Sequence, residues 1–88
     1  MLRSGKQVAA ARNLLGISQA ELATATGIAQ PTLARFESGA SAPYKSTLDK
    51  LRTELESRGI EFTNGDGIGV RLSFAKAEAA SRLTRAKS

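Results

Sequence analysis

Eighty-eight residues make one small domain, below the size at which a hydrophobic core is comfortably large. The chain has no Cys and no His, which excludes a disulfide scaffold, an ordinary zinc site, and catalysis by a thiol nucleophile or an imidazole base. Thirteen Lys+Arg against eight Asp+Glu give a net charge of +5, and the isoelectric point near 10.3 passes the value of about 9 that marks many nucleic-acid binders, although a solvated basic surface has the same composition.

In chain order, a first helix is expected from about Gly5 to Leu15, with Val8, Ala11, Leu14 and Leu15 at helical spacing and Gly16 as its stop. A second begins at Ser18 as N-cap, with Glu21 three residues later in capping-box spacing. It runs to about Thr26 with Ala20, Leu22 and Ala23 inward, and ends at Gly27, which tolerates the left-handed conformation. A third runs from about Pro31, in the first turn, to Ser38, with Leu33 and Phe36 inward and Gly39 closing it. After the loop "ASAPYK", a fourth runs from Tyr44 or Ser46 to Arg58 on a Leu48, Leu51, Leu55 stripe, stopped by Gly59.

Beyond Gly59 the period changes to two. "IEFTNGDGIGVRLSF" alternates Ile60 and Phe62, then Val70, Leu72 and Phe74 inward, with "NGDG" between them as a hairpin signal. Gly65, Gly67 and Gly69 are not a phosphate loop, because the spacing is wrong and no helix opens after them. A lone ribbon is marginal, so it either folds onto the helices or pairs with the ribbon of a second copy. The second is favoured, placing Ile60, Phe62, Val70 and Leu72 in a dimer interface. The last segment, "AKAEAASRLTRAKS", has high helix propensity but a thin stripe of Ala77, Ala80 and Leu83. It reads as a frayed basic tail, a helix packed on a dimer partner, or an arm adding nonspecific DNA affinity. The organisation expected is therefore mainly α: four helices over 1–58, a hairpin over 59–74, and a helical or frayed tail over 75–88.

The spacing of "SQAELATATGIAQPTLARFESG" is that of two helices joined by a short Gly turn, the helix-turn-helix geometry. In it the first helix crosses the DNA backbone and the leading residues of the second reach base edges in the major groove. Gln30, Thr32 and Arg35 fall outward here, against Ile28, Leu33 and Phe36 inward.

The string resembles the Cro and repressor proteins of the XRE (lambda-repressor-like) family over about Lys6 to Leu55. The resemblance implies a four- or five-helix fold that binds operators as a dimer and regulates transcription. It implies that Gln30 reads adenine, for which the amide offers a paired donor and acceptor. Arg35 takes a base- or phosphate-contacting place, and Thr32 a place near a phosphate or thymine methyl. Pro31 departs from the pattern and offers a base only apolar contact, so phage operators do not transfer. Gln19 matches a residue that contacts phosphate and braces the recognition helix. Arg12 and Glu37 match a partly buried ion pair tying the first helix to the third. Phosphate contacts are expected from Ser38, Ser41, Tyr44, Lys45 and Ser46, with Lys6 on the first helix; Lys45 ranks first, while Lys50, Arg52 and Arg58 read as solvated charges.

No apolar run reaches the roughly 18 residues of a membrane span and "MLRSGKQVAAARNLLG" is not a signal peptide, so a cytoplasmic protein of bacterial or phage type is expected. Asp66 reads as turn chemistry, and Glu54 and Glu56 cannot share a helix face; no enzyme, cofactor or metal is expected. The expected function is a homodimeric regulator of transcription on a palindromic double-stranded operator, a repressor by occlusion since no effector domain is visible. The alternative is an antitoxin or anti-regulator module whose residues 59–88 grip another protein.

Overall fold

The computed structural model of the protein describes residue 2, residues 4–63 and residues 67–79. Four helices come first: α1 (Gly5–Leu15), α2 (Gln19–Thr26), α3 (Gln30–Ser38) and α4 (Lys45–Ser57). An antiparallel ribbon of β1 (Ile60–Thr63) and β2 (Gly69–Leu72) follows, then a short helix, α5 (74–79).

Local chemistry sets the boundaries. Ser18 Oγ accepts the Glu21 N–H at 3.0 Å and the Glu21 carboxylate accepts the Ser18 N–H at 3.4 Å, the reciprocal box that starts α2. At the corner after α2, Gly27 has φ 73° and its N–H donates to the Ala23 carbonyl, a conformation that costs a side-chain-bearing residue about 1–2 kcal/mol. The third helix begins one residue earlier than expected, at Gln30, so Pro31 stands second in the helix, where its missing N–H still has no intrahelical duty. A second capping box opens α1: Ser4 Oγ accepts the Lys6 N–H, and Gln7 Oε1 accepts the Ser4 N–H at 3.0 Å.

The core is aliphatic. Val8, Leu22, Leu33, Leu51, Leu55 and Ile60 are all but completely buried, with Leu2, Ala11, Ala23, Ile28 and Phe36 around them. Each of the larger side chains contributes about 1.5–3 kcal/mol by leaving water. Two inward assignments fail. Leu14 is 48% exposed, because β2 covers the Gln7 end of α1, where Gln7 Nε2 donates to the Gly69 carbonyl at 3.0 Å, and leaves the far end open. Ala20 is exposed, since the short α2 turns only the Leu22 and Ala23 side of its barrel to the core.

The ribbon differs most from expectation. Ile60 is 1% exposed inside the core, and Phe62, Val70 and Leu72 pack partly buried against it. Of the four side chains expected between two copies, Ile60 thus lies in the chain's own core, while Phe62, Val70 and Leu72 pack against it and keep part of their surface open. The physical reason is that a marginal ribbon gains the same burial from the flanks of α1 and α4, already tethered to it, without the entropy cost of association. Phe74 is not inward either: the strand ends at Leu72, α5 begins at residue 74, and the ring is 82% exposed.

The first turn of the tail docks on the same ribbon. Ser73 N–H donates to the Gly59 carbonyl at 2.8 Å and Ala77 N–H to the Ser73 carbonyl at 2.9 Å. Gly59 has φ 100°, and a Cβ there would lie 2.8 Å from the Ala77 nitrogen, so both conformation and space demand glycine. Glu61 is held between Lys76, at 2.8 Å from Oε2, and Arg71, at 2.7 Å from Oε1. The Lys76 hydrogen bond first, and that of Arg71 second, keep its carboxyl below the usual carboxylate range. Ala80 and Leu83 lie outside the described residues, as does most of the "NGDG" turn.

One close approach positions the third helix. A Cβ on Gly5 would sit 1.9 Å from the Phe36 carbonyl oxygen and 2.7 Å from the Glu37 Cα, so the start of α1 touches the backbone of α3 itself. Elsewhere in a helix, Gly→Ala stabilises by roughly 0.5–1 kcal/mol. Here the sign reverses: Gly5→Ala is expected to cost about 1–3 kcal/mol through overpacking and to lower the melting temperature by several degrees. An unchanged or raised melting temperature would show that α3 can back away freely.

Candidate nucleic-acid interface

The helix pair α2–α3 presents the leading edge of α3 to solvent. Gln30, Pro31 and Arg35 are exposed and Thr32 is half-buried, while Leu33 and Phe36 on the opposite side face the core. Ala29, the N-cap of α3, supplies no side-chain cap, so the first turn keeps its N–H groups available for an external acceptor.

The other end of α3 is clamped. Glu37 is 5% exposed at its side chain, and Arg12 grips it as a fork: Nε to Oε2 at 2.8 Å and Nη2 to Oε1 at 2.7 Å. The remaining Nη1 donates to the Ile17 carbonyl at 3.2 Å. Gln19 Nε2 adds a third bond to Glu37, at 3.0 Å from Oε1. One carboxylate thus joins α1, the start of α2 and the last turn of α3, and the fork fixes orientation as well as distance. The Glu37 hydrogen bond, more than burial opposes it, raises the Arg12 pKa above its already high ordinary value.

Charges sort by location. Among the described residues, Arg35 on α3, Lys6 on α1 and Lys50 on α4 have no carboxylate partner. Along α4 the other cations are paired: Lys45 with Asp49 at 3.3 Å, Arg52 with Glu56 at 3.3 Å, Arg58 with Glu54 at 2.7 Å. The Lys45 side chain is 90% exposed, and an exposed i,i+4 pair is worth only about 0.3–0.5 kcal/mol, so Asp49 competes weakly with any phosphate.

With that geometry in view, the chain's likeness to known proteins is specific. The family model described as "Helix-turn-helix" matches residues 8–59. The chain belongs to this XRE-type helix-turn-helix family. A relative from Haemophilus influenzae, carrying the name uncharacterized HTH-type transcriptional regulator, is 44% identical over 50 residues, 57% of this chain and 51% of the relative. The chain thus spans about half the length of the curated relative it matches.

Within the helix-turn-helix domain, the expected phosphate set divides by position. Ser38, Ser41, Tyr44, Lys45 and Ser46 are exposed around the end of α3, the following loop and the start of α4, and Lys6 is exposed on the first turn of α1. Ser38 Oγ donates to the Arg35 carbonyl at 3.0 Å, so its one hydroxyl hydrogen must turn away from that carbonyl to meet a phosphate. Tyr44, 85% exposed, is the N-cap of α4 and gives it no side-chain cap. Gln19 is only half-buried, and its amide is oriented by the bond to Glu37. Two features that position this site escape sequence reasoning. The Ser4…Gln7 box had a readable spacing; the Gly5 contact with the α3 backbone left no local mark.

Among the described residues no helix is long and apolar enough to cross a membrane.

Proposed function

We propose that this helix-turn-helix domain is a sequence-specific regulator of transcription, a homodimeric repressor that reads a palindromic double-stranded operator through the major groove. The observation that carries the reading is the asymmetry of α3: its leading outer residues are solvent-facing and chemically varied, while its inner face and last turn are held by Leu33, Phe36 and the Arg12–Glu37–Gln19 cluster. A rigid helix with an open polar edge suits direct readout.

In this reading Gln30 pairs with adenine N6 and N7, and Arg35 takes guanine O6 and N7 or a phosphate. Pro31 and Thr32 supply apolar or hydroxyl contacts near a thymine methyl. Lys6, Gln19, Ser38, Ser41, Tyr44, Lys45 and Ser46 hold the backbone on either side, giving affinity and register without sequence choice. A second copy places a second α3 about 34 Å away, one helical turn along the duplex. Occupancy of such a site over a promoter excludes polymerase.

Footprinting on the DNA upstream of the protein's own gene tests this. Protection of an inverted repeat whose half-sites are centred about one turn apart, at protein concentrations that leave unrelated DNA open, is the expected result. Equal protection of all DNA, or of none, overturns it.

A further inference from the structure

A groove of about 250 Å³ runs between α1 and β2. Lys6 and Ala10 form one wall, Ile68, Gly69 and Val70 the other, and Gln7 lies between them. Gln7 is 2% exposed, and both ends of its amide are engaged: Oε1 accepts the Ser4 N–H and Nε2 donates to the Gly69 carbonyl, each at 3.0 Å. The surface left to a ligand is therefore mostly hydrocarbon, and Ile68 beside it is 49% exposed. Lys6 is the one cation on its walls, exposed and without a carboxylate partner among the described residues. The same side of α1 stays apolar beyond the groove. Residues four apart share a helix face, so Lys6, Ala10 and Leu14 form one slanting row, about 12 Å long at a helical rise of about 1.5 Å per residue. Leu14 at its far end is 48% exposed.

We propose that the α1–β2 groove binds a medium-chain alkanoate, with its carboxylate on Lys6 and its hydrocarbon along Ala10, Ile68 and Val70 toward Leu14, and that this ligand weakens DNA binding. Size, charge and shape select the class. The volume falls below the about 300–1,000 Å³ of drug-sized sites, so the occupant is a small molecule of few atoms. One lysine is a point charge rather than a fork, and it balances one carboxylate; a second anionic group would face apolar walls with no cation to meet it. The row from Lys6 to Leu14 suits an extended chain, whereas a ring would cover Ala10 and leave Leu14 in water. The effect on DNA rests on the reading above, in which Lys6 holds a phosphate. One ammonium cannot serve both anions fully, so ligand and duplex each lower the other's affinity by the same factor.

Octanoate is the probe, titrated into the ¹⁵N-labelled full chain and followed by amide NMR shifts. Saturable shifts at Lys6, Ala10, Leu14, Gly69 and Val70 are expected, with a Kd of roughly 0.1–5 mM, the range open to a ligand of about ten heavy atoms. Acetate, which has the charge alone, and octylammonium, which has the chain with the opposite charge, cause no such shifts at the same concentrations. Lys6→Gln weakens octanoate by about tenfold, and its exposed position carries little folding risk. Ala10→Leu fills the groove and abolishes the shifts, with circular dichroism reporting its fold. In anisotropy titrations on a random-sequence duplex at about 0.1 M salt, saturating octanoate lowers DNA affinity by about 5- to 10-fold and the salt slope by about 0.9, the share of one phosphate contact. Shifts matched by acetate or octylammonium, or untouched by Lys6→Gln, overturn the site. Binding of 3-phenylpropanoate as tight as that of octanoate overturns the extended-chain assignment. Octanoate that binds the free chain but leaves DNA affinity unchanged overturns the coupling while the regulator reading stands. A chain that binds octanoate but no DNA overturns the regulator reading and the coupling, and leaves the groove as a ligand site.

Discussion

Glu37→Ala is expected to lower stability by about 3–5 kcal/mol, the cost of stranding one member of a buried ion pair. For a domain of this size that shifts the melting temperature down by about 12 °C or more, a large part of a small domain's total stability of about 5–15 kcal/mol. The reason lies in what remains: Arg12, itself 16% exposed at the side chain, would keep Nε and Nη2 without an acceptor, and Gln19 would lose its bond as well. Replacing both charges together, as Arg12→Met with Glu37→Leu, should cost far less, because an apolar pair of similar volume needs no desolvation. Since the Arg12 pKa is raised in the fold, its share of the stability is complete below its ordinary pKa and is lost only as pH climbs through the raised value, so no loss is expected near neutrality. Thermal or urea melts of the single and double variants check this. An unchanged melting temperature for Glu37→Ala would mean that water already shields the pair.

The second large effect concerns sequence choice. Gln30→Ala is expected to erase about 1–3 kcal/mol of discrimination between operator and random DNA, roughly a 5- to 150-fold loss of preference, while affinity for random DNA changes little. Lys45→Ala should weaken both kinds of DNA alike and reduce the salt slope by about 0.9 if, as in the reading proposed above, its exposed ammonium, held only by Asp49 at 3.3 Å, grips a phosphate rather than a base. Binding titrations by fluorescence anisotropy at several salt concentrations separate the two behaviours. Equal losses from both variants on both DNAs would end the division between a reading residue and a gripping one. The same titrations on Arg35→Ala sort its guanidinium into one class or the other, since it has no carboxylate partner among the described residues.

Both predictions concern the part of the chain most legible in its sequence. Ser18, Glu21 and Gly27 act through bonds to residues within four positions, and Pro31 through its own ring at the start of α3, so their meaning needs no knowledge of the rest of the fold. The strands on either side of "NGDG" pair antiparallel, as the alternation of residue types around it predicts. Legibility fails where a residue's environment comes from a distant segment. Leu14 and Ala20 have the spacing of core residues and are exposed; Gln7 is polar and is 2% exposed because the Gly69 carbonyl, 62 residues away, accepts from it.

Sequence alone therefore determined the helix-turn-helix: the caps, the corner and the polar leading edge of α3. Those are properties of short stretches, where steric and hydrogen-bonding rules act on neighbours. Tertiary structure decided the rest. It turned the ribbon's apolar side chains inward onto α1 and α4, made Gly5 the contact point between α1 and α3, and drew Gln19 to Glu37. A period-two pattern states that one side of a strand is apolar but not which surface covers it, because that depends on which apolar surface lies nearest once the chain has closed.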